Sequence, residues 1–177
     1  MGNDITIQLS QGKIGLLSDC DNDLVAMKWY AWRSLRGHVY YVLRTSSGSD
    51  LKSSMHRVVL ARMLGRALLR REHVDHINGD GLDNRRENLR LATASQNGCN
   101  RGSMSNNNSG YKGVVFQKNS KKWQAGTTSG GKYKYLGLYD NIIDAALAYD
   151  RYAYEHHGEF ANCNYPSFAS TATKDKP

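Results

Sequence analysis

Residues 73–97 read HVDHINGDGLDNRRENLRLATASQN, a run dense in ionisable and carboxamide side chains with few apolar ones among them. HVDH is a short strand, with Val74 turned to a core and His76 at the strand end. INGDGLDN is turn chemistry, because glycine supplies unusual backbone angles and Asn/Asp side chains bond their own backbone two residues on. NLRLA is a second strand, apolar at Leu89 and Leu91. Thr93 and Gln96 have the spacing of a capping box, so a helix starts there and Asn97 falls in its first turn. The order is strand, loop, strand, helix.

Asp75-His76, the glycine-bearing loop, Asn88-Leu89-Arg90 and Gln96-Asn97 together resemble the HNH endonucleases, in particular their homing branch common in phages. The resemblance implies the ββα-metal nuclease fold. It implies that His76 activates water, that Asp75 is a metal ligand, that Asn88 braces the loop and that Asn97 also binds the metal. It further implies a site-preferring, homing-like cut that leaves 5′-phosphate and 3′-hydroxyl ends.

The chemistry of the residues agrees. Phosphodiester hydrolysis needs a nucleophilic water, a base near neutral pKa and a cation at the developing alkoxide. Histidine is the side chain whose ordinary pKa suits the base. Asp and Asn oxygens are hard donors that suit one Mg²⁺ or Mn²⁺ ion. The Asn88 carboxamide can bridge two backbone segments. Arg85, Arg86 and Arg90 are candidates for phosphates flanking the cut. Asp80 and Asp83 read as turn residues, and His56 as a satisfied, partly buried histidine.

Upstream, ITIQL and IGLL read as two strands, SDCDND opens a short helix, HVYYVLRT is a strand and HRVVLARML a helix. This N-terminal block carries no motif of known chemistry. Residues 1–101 are expected to form one domain, residues 102–110 an Asn/Ser/Gly-rich linker, residues 111–166 a second domain, and 167–177 a frayed tail.

In the second domain YKGVVFQ, KWQAGTT and KYKYLGLY read as three strands, with turns at KNSK and SGGK. Ile142, Ala146, Tyr149 and Ala153 share one face of a helix, with Asp140 as N-cap and Gly158 as stop. The small residues let this helix lie close on the sheet, which leaves the other sheet face to water or a partner. Tyr111-x-Gly113-Val114, Trp123-x-Ala125, Tyr135-Leu136-Gly137-x-Tyr139, Ala145-Ala146-x-Ala148-Tyr149-Asp150 and Asn164-Tyr165-Pro166 resemble the Apetala-type, ethylene-response-factor DNA-binding domain. That resemblance implies a sheet face lying in the major groove, with Lys112, Gln117, Lys122, Thr128, Tyr133 and Tyr135 as readers. The plant pattern has arginines on this face. Lysine makes no bidentate fork to guanine, so phosphate contact with modest sequence preference is expected. Trp123 reads as a core anchor.

The formal charge of +8 points to a polyanion, and its distribution sharpens this. The excess sits in the arginines of residues 56–101 and in six lysines between 112 and 134, where there is no acid. Three scattered cysteines argue against a disulfide framework and against a cysteine-rich zinc site, and each reads as a small buried or semi-buried hydrophobe. No apolar run approaches the roughly 20 residues of a membrane span, and the N-terminus lacks the pattern of a secretory signal. The expectation is an α+β protein: a small N-terminal α+β block leading into a ββα-metal core, a linker, then a three-stranded antiparallel sheet packed on one helix. Its partner is double-stranded DNA with no membrane, its oligomeric state monomeric by default, and its place the cytoplasm, phage- or prophage-encoded. The alternatives are a DNA-binding transcriptional regulator with an inactive nuclease part, and a zinc-stabilised binder using His56, His73 and His76.

Overall fold

Alternating apolar and polar residues build the first hairpin. Strand β1 (Asp4–Gln8) pairs antiparallel with β2 (Ile14–Ser18), and the chain reverses through Gln11 and Gly12, both left-handed at φ 62° and 64°. Asp19–Ala26 then forms a 3-10 helix. Its Asp and Asn side chains compete with the backbone for hydrogen bonds, and Asp21 breaks helical geometry while accepting from Arg62 and Arg86. Strands β3 (Tyr30–Arg33), β4 (Tyr40–Thr45) and β5 (Lys52–Ser54) make an antiparallel sheet in that order. Helix α1 (Met55–Leu64) follows and stops at Gly65, left-handed at φ 65°.

The computed structural model describes residues 4–34, 39–45, 52–102, 107–129 and 132–166. They form two compact units, Met1–Asn97 and Gly98–Pro177. The middle of the SGGK turn, part of the linker and the 167–177 tail lie outside the described residues.

The core of the first unit gathers Leu17, Leu24, Val42, Met55, Val59, Leu60, Val74 and Leu89. Strands β6 (His73–His76) and β7 (Leu89–Ala92) pair antiparallel, with Asp75 opposite Arg90 and His76 opposite Leu89. Helix α2 (Ala94–Cys99) begins at the expected capping box: the Thr93 N–H donates to Gln96 Oε1 at 2.8 Å and the Gln96 N–H to Thr93 Oγ1 at 3.3 Å. The loop from β6 to β7 rests on the N-terminal block. Leu16 donates its N–H to the Leu82 carbonyl and accepts from the Asn84 N–H, both at 2.9 Å. At Gly81 a Cβ atom would stand 2.3 Å from the Tyr40 carbonyl oxygen and 2.7 Å from the Tyr41 ring, so glycine alone lets the loop lie against β4.

In the second unit, β8 (Val114–Gln117), β9 (Lys122–Ser129) and β10 (Lys132–Tyr139) form an antiparallel sheet with β9 central. Helix α3 (Ile142–His157) packs on it through Ala145 and Ala146, which meet Val114 and Ala125. Trp123 is partly buried against this core, as expected. The N-cap is Asn141, whose side chain accepts the Ile143 N–H at 2.8 Å, rather than Asp140, which pairs with Lys122 at 3.1 Å. Buried Asp150 accepts the backbone N–H groups of Asn164 and Tyr165 at 2.7 and 2.8 Å, and Asn164 bonds both the N–H and the carbonyl of Lys112. Burial raises the Asp150 pKa while those donated hydrogen bonds oppose the rise. This network accounts for Asp150 and the Asn164-Tyr165 motif. Cys20 is exposed and not buried as read, because it lies on the solvent side of the 3-10 segment.

Candidate active site

Strand β6 carries Asp75 and His76 as consecutive residues, both buried. The His76 Nε2 stands 3.4 Å from the Oδ1 of Asn84, a fully buried side chain fixed by its own Nδ2 donating to the Leu82 carbonyl. Burial lowers the His76 pKa, against the opposing pull of the Asn84 bond and of Asp75, Asp80 and Asp83. The imidazole is therefore neutral at neutral pH, the form that accepts a proton.

Asn88 bridges the loop. Its Oδ1 accepts the Asn78 N–H at 3.0 Å, and its Nδ2 donates to Asn78 Oδ1 at 3.0 Å and to the Asp83 carbonyl at 2.8 Å. Asp80 and Asp83 are turn residues: Asp80 accepts the Leu82 N–H, and Asp83 accepts from Asn78 and Arg85. The Arg85 guanidinium is the largest cause of the lowered Asp83 pKa.

Arg85, Arg86 and Arg90, read as contacts to flanking phosphates, each meet a carboxylate inside the protein. Arg85 pairs with Asp83, Asp4 and Glu87, Arg86 with Asp21, and Arg90 with Asp75 through Nε and Nη2, at 2.8 and 2.7 Å to Oδ2. The physical reason is the burial of Asp21, Asp75 and Asp83, which demands a compensating charge.

Two further rings complete the surroundings of His76, of which Tyr41 was not singled out in the sequence and His56 was read in another role. The His56 ring, in the first turn of α1, lies edge-on at 5.1 Å between centroids, and Tyr41 of β4 lies 6.0 Å away. His56 is not the satisfied histidine expected: its Nδ1 is buried with no partner, and its pKa is depressed to about 3, by burial first and then by the charges of His76 and Arg57.

In the second unit the pairing of Val115 with Gln124, Gln117 with Lys122, Gly126 with Tyr135 and Thr128 with Tyr133 puts these residues on one sheet face. Five predicted readers, Gln117, Lys122, Thr128, Tyr133 and Tyr135, share it. The face also carries a ladder across three strands: Gln117 Nε2 donates to Gln124 Oε1 at 2.8 Å, and Gln124 Nε2 to the Tyr133 hydroxyl at 2.6 Å. Lys112 is the exception among the readers. It precedes β8, and its ammonium donates to the Cys99 and Arg101 carbonyls instead of facing outward. Burial lowers its pKa.

Comparison with known proteins bears on both units. A family model described as HNH endonuclease matches residues 54–99. Protein 3.8 of Escherichia phage T7 is 35% identical over 89 residues, 50% of this chain and 73% of that protein. The chain belongs to the HNH endonuclease family. Separately from the HNH match, an ethylene-responsive transcription factor of Arabidopsis thaliana is 40% identical over 57 residues, and an APETALA2-like protein of Oryza sativa subsp. indica 42% identical over 57 residues. Each of these two matches spans 31% of this chain and 13% of the plant protein. No solved structure gives a significant match.

HNH nucleases generally depend on a divalent cation. The donor chemistry here fits one. Asp75 supplies a carboxylate and Asn97 a carboxamide oxygen, both hard donors, and the Asn97 side chain has no hydrogen-bond partner among the described residues. Among the described residues no three His, Cys, Asp or Glu side chains gather as a metal group. No helix among the described residues is long and apolar enough to cross a membrane.

Proposed function

We propose that this HNH protein is a metal-dependent DNA endonuclease that cuts with site preference, in the manner of homing nucleases, and leaves 5′-phosphate and 3′-hydroxyl ends. The observation that carries the reading is the buried Asp75–His76 pair beneath a loop braced by Asn88. Neutral His76 takes the proton of the water that attacks the scissile phosphorus. Asp75 and Asn97 would hold a Mg²⁺ or Mn²⁺ ion, which when bound would supply charge stabilisation at the leaving oxygen. Arg85, Arg86 and Arg90 set the charge around the site through their carboxylate partners. The second unit brings the nuclease to double-stranded DNA through the face of Gln117, Lys122, Thr128, Tyr133 and Tyr135. Lys112 serves the fold of that unit. The protein acts as a monomer in the cytoplasm of a bacterium carrying the phage or prophage.

The test is plasmid nicking by wild type and by His76→Ala with Mg²⁺, Mn²⁺ or EDTA. Loss of a general base costs about 10²- to 10⁴-fold. Equal rates for the two proteins would refute the assignment. DNA affinity of the full chain should fall with salt and fall again in Tyr133→Ala. The second reading, a DNA-binding regulator with an inactive nuclease part, is favoured by the Arg90–Asp75 ion pair, since a guanidinium there competes with a cation. Salt-dependent binding with no cutting in any metal would select it.

A further inference from the structure

The outer sheet face of the second unit holds its polar groups in a fixed row. Val115 and Gln117 of β8 stand opposite Gln124 and Lys122 of β9, and Tyr133 and Tyr135 of β10 stand opposite Thr128 and Gly126. Gly126 leaves room for the Tyr133 ring to lie across β9. A Cβ there would sit 2.0 Å from the Tyr133 hydroxyl oxygen and 2.5 Å from Cζ. In this pose the hydroxyl accepts from Gln124 Nε2 at 2.6 Å, and Gln124 Oε1 accepts from Gln117 Nε2 at 2.8 Å. The two ends of this ladder differ. Gln117 keeps its Oε1 acceptor and a second N–H, and Tyr133 keeps its O–H donor. Apolar surface flanks the row, with Val115 59% and Tyr135 52% exposed. Residues 111–139 contain no arginine. Lys122, the lysine on this face, is paired with Asp140 at 3.1 Å.

We propose that this face selects A·T base pairs, with Gln117 as the adenine reader and Val115 and Tyr135 as contacts to thymine methyl groups. The inference rests on the reading above, that this face is the one that meets double-stranded DNA. In the major groove adenine offers a donor at N6 beside an acceptor at N7, and a glutamine carboxamide answers both at once. The acceptor and second N–H that the ladder leaves on Gln117 are that pair of groups. Guanine offers two acceptors side by side, which call for a fork of donors such as arginine. This face has no arginine, and a carboxylate holds its lysine. Thymine carries a methyl group in the same groove, and exposed apolar side chains suit it. Val115 lies two residues from Gln117 on one strand, about 7 Å away, or about two base-pair steps. The Tyr133 hydroxyl proton finds an acceptor in thymine O4. Because the ladder fixes Gln117 through Gln124 and Tyr133, its rotamer freedom is lost on folding rather than on binding DNA.

The test is binding by the full-length chain in EDTA, first to a random duplex pool and then, in competition, to the selected sites. The competitors are the same sites with deoxyuridine for thymidine and G·C duplexes of equal length. Thermal unfolding checks that each variant is folded. Wild type should select A·T-rich sites and hold them about 10-fold tighter than G·C duplexes. Loss of the thymine methyl groups should weaken binding about threefold. Gln117→Ala should weaken binding to the selected sites about 10-fold and to G·C duplexes about twofold at most. Gln117→Arg, which supplies the fork, should turn the preferred base at one position to guanine. Selection of G·C-rich sites by wild type overturns the proposal, and so does a folded Gln117→Ala protein that loses affinity equally for every duplex or loses none. Equal affinity for thymidine and deoxyuridine sites overturns the methyl contacts. Salt-dependent affinity that is equal for all duplexes keeps the DNA-binding reading and overturns the A·T preference. If no duplex binds in a salt-dependent way, the DNA-binding reading fails and the preference falls with it.

Discussion

Replacing Asn88 by alanine removes three hydrogen bonds at one stroke. Two backbone groups lose their partners: the Asn78 N–H, partly buried, and the Asp83 carbonyl, which is buried. A buried polar group left unsatisfied costs about 1–3 kcal/mol, with the partly wet one at the low end, so Asn88→Ala should destabilise the first unit by about 2–4 kcal/mol. That is a large share of the roughly 5–15 kcal/mol that holds a domain folded. Asn88→Asp is the sharper variant. It keeps an acceptor for Asn78 but loses the donor, and sets a negative charge against the Asp83 carbonyl and Asn78 Oδ1, so it should be no more stable than alanine. The measurement is urea unfolding in EDTA of protein labelled with 5-fluorotryptophan, where Trp29 reports on the first unit and Trp123 on the second. The Trp29 midpoint should fall with an unchanged slope, and the Trp123 midpoint should stay. A shift of less than about 0.5 kcal/mol in Asn88→Ala would refute the bracing role.

The remaining expectations concern stability too. His56 has its folded pKa depressed from 6.5 to about 3, so its neutral form is favoured in the fold. Stability is then fully present above pH 6.5 and is lost as pH falls towards 3, by up to about 1.4 kcal/mol per pH unit. His56→Phe should flatten that part of the pH profile, and urea midpoints between pH 7 and pH 4 check it. Asp150→Ala strands the N–H groups of Asn164 and Tyr165 and should lower the stability of the second unit by about 3 kcal/mol, read from the Trp123 signal. Gly113 is left-handed at φ 74°, and a Cβ there would lie 2.0 Å from the Tyr149 ring. Gly113→Ala should therefore cost about 3 kcal/mol by the same readout, from strain and overpacking together.

Local chemistry made much of this molecule legible in the sequence. The Thr93–Gln96 capping box, the turn at 77–84, the strands on either side and the alanine face of α3 are set by near neighbours, and they appear where the residues imply. What stayed hidden depends on partners far along the chain. The 3-10 character of residues 19–26 follows from Asp21 being claimed by Arg62 and Arg86. The arginines at 85, 86 and 90 look like free cations in sequence, because the carboxylates that engage Arg86 and part of Arg85 come from Asp21 and Asp4, and Asp75 reaches Arg90 across the sheet. Lys112 reads as part of a strand face but turns to the backbone carbonyls of Cys99, at the end of α2, and Arg101. Tyr41, His56 and Asn84 carry no motif, and only the packing of α1 and β4 brings the first two to His76.

The docking of the loop on the N-terminal hairpin also says how such a nuclease can be moved between proteins. The family signature begins at residue 54, but Leu16, Tyr40 and Tyr41 lie under the loop and belong to the segment before it. A cassette cut at residue 54 leaves behind the surface its loop rests on and exposes Leu82, Val74 and Leu89 to water. Gene fusions or grafts that keep the upstream hairpin and sheet carry a complete part, whereas those that keep only the recognisable motif carry a fragment.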